Sequence, residues 1–97
     1  MADNPNFPIG TASVSWTDSG GTHLRVYSTD GYNVTERCFD GNSWTTGGFS
    51  APGGAVSATC WQDSEVHLRV YCTFEDSTVE YCSDGGGAWV QGGYTNS

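Results

Sequence analysis

The segment HLRVY at residues 23–27 returns unchanged at residues 67–71, and this tandem repeat decides the fold. In each copy a glutamate follows the arginine eleven positions later, which gives the pairs Arg25 with Glu36 and Arg69 with Glu80. The chain has three basic residues, all of them arginine, so the repeat retains two of the three. A duplication with a period of about 44 residues is therefore the first property that a fold must accommodate.

Further blocks extend the repeat over most of the chain. TERCFDG at residues 35–41 aligns with VEYCSDG at 79–85, and WTTGGF at 44–49 aligns with WVQGGY at 89–94. Short runs rich in Val, Thr, Tyr and Trp alternate with Gly, Asp, Asn and Ser, and no stretch has helical spacing. Several short strands within a period in the middle forties are typical of a β-propeller blade. The sequence therefore predicts an all-β fold.

Each repeat is predicted to form four strands, and so one four-stranded blade. The strands are expected near residues 12–17, 23–28, 33–39, 43–46, 56–62, 66–73, 78–82 and 88–91. The dipeptides Asp30-Gly31 and Asp40-Gly41 are typical of hairpin turns, and residues 51–54 (APGG) are expected to link the repeats. This organisation predicts an N-terminal extension (1–11), a first blade (12–54) and a second blade (55–97).

Two blades do not close a propeller ring. Natural propellers have about four to eight blades, and an open pair would leave the outer faces of both sheets in water. A cyclic homo-oligomer covers those faces, because each chain then meets the next one in the same way. On these grounds two, three or four chains would give rings of four, six or eight blades.

Composition narrows the choice of partners. The formal net charge is −8 and the chain has no lysine. Nucleic acids and anionic membranes are bound by clustered cations, so neither nucleic-acid binding nor membrane insertion is expected. The sequence has no signal-peptide pattern and no apolar run of membrane-spanning length. We therefore expect a soluble chain, either cytoplasmic or exported by a non-classical route.

The cysteines and histidines predict neither a disulfide framework nor a metal centre. Cys38 and Cys82 are equivalent positions of the repeat, which favours a small buried side chain in each unit. A bridge between Cys60 and Cys72 stays open as an alternative, although a hairpin turning near Ser64 would place Cys60 opposite another residue, Leu68. Because no metal-ligand spacing is present, no cofactor is expected.

The repeated arginines are expected to face a ligand. Alternation along the strand puts His23, Arg25 and Tyr27 on one face, and Leu24 with Val26 on the other, so the arginine leaves the apolar layer. A glutamate on the neighbouring strand would hold the guanidinium and keep an oxygen free for a ligand hydroxyl. A tryptophan adds a flat surface for the C–H face of a sugar ring and an N–H donor. The three residue types together indicate a monosaccharide pocket.

The same blocks resemble a known family, the fucose-binding lectins of fungi and bacteria, in particular its two-blade bacterial members. The similarity covers nearly all of residues 12–95 and lies in the LRVY strands, the TERCFDG and VEYCSDG strands, and the glycine turns that follow. It implies a six-bladed propeller formed by a homotrimer. It also implies calcium-independent, multivalent binding of α-L-fucose between adjacent blades, with two sites per chain and no enzymatic activity.

Carried over residue by residue, the resemblance implies two pockets. The pocket within one chain would contain Arg25, Glu36, Trp89, a backbone contact near Gly48, and Ser83. The pocket between chains would contain Arg69, Glu80, Phe39, Trp44 and a backbone contact near Gly93. The family usually has tryptophan where this chain has Phe39 and Ser83. Because serine offers no apolar surface to the sugar, the pocket with Ser83 is predicted to be the weaker one.

Other interpretations of the same residues remain open. The arginines and glutamates could be cross-strand ion pairs that only order the sheet. Trp44 and Trp89 could pack between blades, and the residues assigned to packing, strand rims or turns are Trp16, Trp61, His23, His67, Asp40 and Asp84. A propeller glycoside hydrolase of the sialidase type is a second function class, but it needs two carboxylates at one bond, whereas the glutamates recur once per repeat. A peptide-binding propeller scaffold is a third class.

Overall fold

The chain forms two antiparallel four-stranded sheets in a computed structural model that describes residues 7–96. Sheet 1 contains β1 (Gly10–Asp18), β2 (Gly21–Thr29), β3 (Asn33–Asp40) and β4 (Trp44–Pro52), and sheet 2 contains β5 (Ala55–Gln62), β6 (Val66–Phe74), β7 (Ser77–Asp84) and β8 (Val90–Gln91). In each sheet the strand order follows the sequence. The all-β prediction is confirmed, and the two sheets are compatible with two propeller blades. Most of the predicted extension lies outside the described residues.

The hairpin turns lie where the sequence predicted them. Gly31 joins β2 to β3 with φ of 101°, and Gly41 joins β3 to β4 with φ of 85°. Residues other than glycine rarely adopt this left-handed region, so the two Asp-Gly dipeptides fix where these hairpins turn. The register that results places Arg25 opposite Cys38 and Tyr27 opposite Glu36.

Strand β4 is longer than the predicted segment 43–46, and the linker is shorter than the predicted segment 51–54. Pairing between β3 and β4 is interrupted between Thr35 and Arg37, where one residue of β3 faces three of β4. Such a bulge lets a strand continue through a glycine pair that otherwise resembles a turn. Because β4 is an edge strand, it also accommodates Pro52. Only the dipeptide Gly53-Gly54 separates the two sheets.

The core lies between the sheets, which contribute opposite faces of the repeated pattern. Sheet 1 contributes the face that carries Tyr27, and sheet 2 contributes the face that carries Val70; the buried cluster consists of Tyr27, Val34, Phe49, Ala51, Val70 and Cys72. The expected placement of the arginine strand away from the apolar layer therefore holds for sheet 2 and is wrong for sheet 1. There Leu24 and Val26 lie half-buried on the outer face.

The cysteines are free thiols, three of them buried. Cys60 pairs opposite Leu68, as the predicted hairpin required, so it does not face Cys72. Burial raises the pKa of the Cys72 thiol to about 11, which keeps it protonated at neutral pH. Within residues 7–96, no helix is long and apolar enough to cross a membrane.

Candidate functional site

The junction between the sheets brings together residues of both repeats. The ring of Trp89, from the second repeat, lies 4.7 Å from Phe49 and 6.2 Å from Tyr27 between centroids, with interplanar angles of 62° and 86°. Both partners hold Glu36: the Tyr27 hydroxyl donates to one carboxylate oxygen at 2.9 Å, and the Phe49 amide donates to the other at 3.3 Å. Trp89 and Glu36 thus belong to one junction, as the predicted pocket within the chain required.

The bulge in β4 positions Glu36. Its side chain is only 5% exposed, and within residues 7–96 the Tyr27 hydroxyl and the Phe49 amide donate to its two oxygens, with a weaker contact from the Cys38 thiol. A carboxylate has about four lone-pair sites, so acceptor capacity remains. Burial, followed by the charge of Glu36, raises the pKa of Tyr27, so its hydroxyl remains a donor. The arrangement holds the Glu36 carboxylate rigidly within the junction.

The first glycine of each Gly-Gly pair makes room for the glutamate. A Cβ atom at Gly47 would overlap the Glu36 carboxylate, and one at Gly92 would overlap the Glu80 carboxylate. Gly48 and Gly93, the positions predicted for backbone contacts with a ligand, have open space where a Cβ would lie. The Gly-Gly pair is repeated in WTTGGF and WVQGGY. The sequence-based prediction assigned a role only to the second glycine of each pair, although the first one makes room for the glutamate.

Arg25 binds an aspartate rather than the expected glutamate. Its Nη1 donates to Asp40 Oδ1 at 3.0 Å and to the Leu24 carbonyl at 2.9 Å, and its guanidinium lies 4.9 Å from the Trp16 ring centroid. Glu36 lies opposite Tyr27, two pairs along the hairpin from Arg25, and bonds to that hydroxyl instead. The expected arginine–glutamate pairing is therefore wrong, and Asp40 and Trp16, which were assigned to a turn and to packing, contact the arginine.

His23 completes a cluster around this arginine. Its two ring nitrogens lie 2.7 Å from Asp40 Oδ1 and 2.8 Å from Asp18 Oδ1, and the ring stacks on Trp16 with centroids 5.1 Å apart. The second repeat has the equivalent cluster of Asp63, His67, Asp84, Arg69 and Trp61. Both histidines were expected at strand rims or in packing, although HLRVY repeats them together with the arginine.

Arg69 and Glu80 lie on the outer face of sheet 2. The Tyr71 hydroxyl donates to Glu80 at 2.7 Å and the Tyr94 amide donates to it at 3.1 Å, which matches the bonds of Glu36. The hydrogen bond from Tyr71 is the main reason that the pKa of Glu80 is lowered. Arg69 donates to Asp84 at 2.9 Å. Arg69 and Glu80 therefore share one open face, and they bind Asp84 and Tyr71 rather than each other.

The aromatic residues predicted for that second pocket lie on the opposite outer face, that of sheet 1. Phe39 and Trp44 are tilted against each other with centroids 5.4 Å apart, and 44% of Trp44 is exposed. The chain cannot bring this pair to Arg69 by itself. At the inner junction the equivalent of Phe39 is Ser83, which is buried and donates to the Gly87 carbonyl at 2.8 Å.

One further groove lies outside both predicted sets. It has a volume of about 530 Å³ and lies on the outer side of sheet 1, lined by Pro8, Ser28, Thr29, Asp30, Asn33, Thr35, Arg37 and Ser50. None of these residues belongs to a predicted pocket. In the described part of the chain, no group of three or more His, Cys, Asp or Glu side chains is arranged to hold a metal ion.

Comparison with known proteins adds no assignment to this geometry. No protein-family model matches the chain, and no curated protein matches it significantly.

Proposed function

We propose that this protein is a non-enzymatic lectin that binds α-L-fucosylated glycans in pockets between adjacent sheets. The proposal rests on the two faces of each sheet. One face carries the repeated arginine and glutamate, and the other face carries the repeated tryptophan, which is Trp44 in sheet 1 and Trp89 in sheet 2. Wherever two sheets meet in the observed way, the junction contains a cationic donor, an anionic acceptor and an aromatic surface. These are the groups that recognise a monosaccharide.

The polar groups retain capacity for a ligand. Both described bonds of the Arg25 guanidinium use Nη1, and so within residues 7–96 its Nε and Nη2 remain for sugar hydroxyls. The Glu36 carboxylate is fixed by the Tyr27 hydroxyl and the Phe49 amide and still has free lone pairs. A sugar hydroxyl would therefore donate to an acceptor that is already oriented. Trp89 is half-buried, and its ring would supply the apolar contact. The sugar identity, α-L-fucose, rests on the resemblance of the sequence blocks.

The second pocket needs another copy of the chain. Arg69 and Glu80 on the outer face of sheet 2 correspond to Arg25 and Glu36 at the inner junction. Phe39 and Trp44 on the outer face of sheet 1 correspond to Ser83 and Trp89. Head-to-tail contact between two chains would therefore repeat the inner junction, and a closed ring of such contacts leaves no face open. We propose a homotrimer with six sheets and six pockets.

The two pocket types are expected to differ in affinity. At the inner junction Ser83 offers no apolar surface, whereas the junction between chains contains Phe39 beside Trp44. A lost sugar–aromatic contact corresponds to about 1 kcal/mol, or about fivefold in affinity. Because several pockets lie on one ring, weak single sites engage a glycosylated surface together, which raises avidity about 10² to 10⁴-fold.

Isothermal titration with methyl α-L-fucoside tests the proposal. Two sites per chain of unequal affinity are expected, with methyl α-D-glucoside as the control sugar. Arg25→Ala removes the weaker site and Arg69→Ala removes the stronger one, because each substitution affects one junction type. Light scattering is expected to give three times the chain mass of 10.3 kDa. Absence of binding at millimolar fucoside would refute the lectin proposal, and a monomer that still binds at both sites would refute the shared pocket.

A further inference from the structure

The same five-residue cluster lies at the beginning of β2 in one repeat and of β6 in the other. In the first repeat His23 sits between Asp18 and Asp40, and in the second His67 sits between Asp63 and Asp84. The corresponding contacts of the second repeat are 2.6 Å to Asp84 and 3.0 Å to Asp63. Both histidine side chains are about one-sixth exposed, at 16% and 15%. The repetition of the whole cluster, and not only of the arginine, indicates a shared role.

The geometry requires a histidine that donates from both ring nitrogens. Ionised carboxylates only accept hydrogen bonds, and His23 has one carboxylate at each nitrogen. A neutral imidazole has a single N–H, so it would face one of the two aspartates with a lone pair. The double contact therefore belongs to the protonated ring, and loss of that proton breaks one of the two bonds.

Asp40 connects this histidine to the arginine. A single oxygen, Oδ1, accepts from His23 Nδ1 at 2.7 Å and from Arg25 Nη1 at 3.0 Å. Both donors also lie against the ring of Trp16, His23 by stacking and Arg25 by a cation–π contact. His23 and Arg25 thus share two contacts, the Asp40 carboxylate and the Trp16 indole. A change in the position of His23 therefore alters the position of the guanidinium.

We propose that His23 and His67 are positioning residues for the arginines of the two pockets, and that their protonation makes sugar affinity depend on pH. The inference rests on the proposed function, because it deepens the account of the same pockets. His23 serves the pocket within the chain through Asp40 and Arg25. His67 serves the pocket between chains through Asp84 and Arg69.

The direction of the pH effect follows from the charges around each ring. Asp18 of β1, Asp40 of β3 and Arg25 of β2 face His23, and Asp63, Asp84 and Arg69 face His67 in the same way. The hydrogen bonds to the two aspartates raise the pKa of each histidine above its ordinary value of 6.5, the bond to Asp40 or Asp84 being the largest cause. The protonated arrangement is therefore complete below pH 6.5 and is lost as pH rises through the raised pKa.

Titration calorimetry with methyl α-L-fucoside between about pH 5.5 and about pH 9 tests this role. For the wild-type protein we expect the affinity of both pockets to fall about threefold across the histidine titration, a typical size for exposed ion pairs. In His23→Gln the weaker pocket loses its pH dependence and the stronger pocket keeps it. His67→Gln gives the reverse result, so each variant is the matched control for the other.

Nuclear magnetic resonance separates this inference from the sugar proposal, since it needs no ligand. The imidazole signals of His23 and His67 and the Nε–Hε signals of Arg25 and Arg69 are followed over the same pH range. Each arginine signal is expected to shift with the midpoint of the histidine in its own repeat. If no sugar binds but these midpoints coincide, the lectin proposal fails and the positioning contact stands. Affinity that stays constant while the histidines titrate, or pH dependence that survives in both glutamine variants, would overturn the inference.

Discussion

Sheet 1 and sheet 2 carry the same strand pattern but bury opposite faces of it. In sheet 1 the face with Tyr27 and Glu36 lies in the junction, whereas in sheet 2 the equivalent face, with Tyr71 and Glu80, is open. The difference shows that the pattern is suited to burial on both faces and that the neighbouring sheet decides which one is covered. In a closed array of identical junctions, each sheet packs against a neighbour on both of its faces, so both faces must be suited to burial.

The strongest way to break the inner junction is to fill the space beside Glu36. Gly47→Ala would push the buried carboxylate away from both of its donors, and we expect the free energy of unfolding to fall by about 3 kcal/mol. At Gly92 the equivalent change costs about 2 kcal/mol, because Glu80 can turn toward solvent. Gly48→Ala, which has open space, is the control and changes stability by less than about 0.5 kcal/mol.

Denaturant unfolding followed by tryptophan fluorescence measures these three variants. Equal stability of the Gly47 and Gly48 variants would mean that Tyr27 and Phe49 do not hold Glu36. In that case the bulge in β4 would have no part in orienting the acceptor of the proposed pocket.

The difference between the sheets separates the features that the sequence could predict from those that it could not. Strand number and the Asp-Gly turns were predictable, because Gly31 and Gly41 need a backbone conformation that few residues adopt. The buried face was not predictable, since alternation separates two faces without saying which one a neighbouring sheet covers.

The partner of the arginine was predictable in principle. A hairpin centred near Gly31 places Glu36 opposite Tyr27, and this register gives the glutamate a hydroxyl as its partner instead of a guanidinium. The length of β4 was harder to predict, because a Gly-Gly pair indicates a turn unless the bulge that it allows is recognised. The repeated blocks thus indicated which residue types meet at the junction between the sheets, whereas the contacts among these residues depended on register.

Two equivalent valines test whether the outer face of sheet 1 is covered in solution. Val70 is fully buried in the junction, and Val70→Ala is expected to cost about 2 kcal/mol at any protein concentration. Val26, its equivalent on the outer face, is half-buried within the chain, and Val26→Ala is expected to cost about 0.5 kcal/mol in dilute, dissociated protein. In the proposed ring we expect that cost to rise toward the value for Val70.

Chemical unfolding at two protein concentrations, with light scattering to report the mass, makes the comparison. A Val26 cost that stays small in a confirmed trimer would show that the chains associate through a different surface.

Two equivalent tyrosines compare the glutamates of the inner and outer faces. Tyr27→Phe removes a donor from a buried carboxylate, and we expect a loss of about 1.5 kcal/mol in unfolding free energy. Tyr71→Phe is expected to cost about 0.5 kcal/mol in the dissociated chain, because water can replace the hydroxyl at Glu80, which is less buried than Glu36. Equal losses in dilute protein, measured by thermal unfolding, would contradict the difference in burial.

The smallest difference between the two sheets is expected at His23 and His67, where the repeats have the same contacts. His23 and His67 have nearly equal exposure and the same pair of aspartate partners, although their sheets bury opposite faces. Their pKa values should therefore be raised together. Asp18→Asn removes one of the two carboxylates at His23, so it should lower the pKa of His23 toward 6.5 and leave His67 unchanged.

Asp63→Asn is the matched variant for His67, and imidazole chemical shifts followed against pH measure both. Since a histidine with a raised pKa stabilises the fold while it is protonated, wild-type stability should decline as pH rises through that pKa, and each asparagine variant should begin to decline at lower pH. If the two histidines titrate far apart in the wild-type protein, then the difference between inner and outer faces extends to the ends of the strands as well. The two arginines would then be held unequally, and the pockets would differ in their polar groups as well as in their aromatic surfaces.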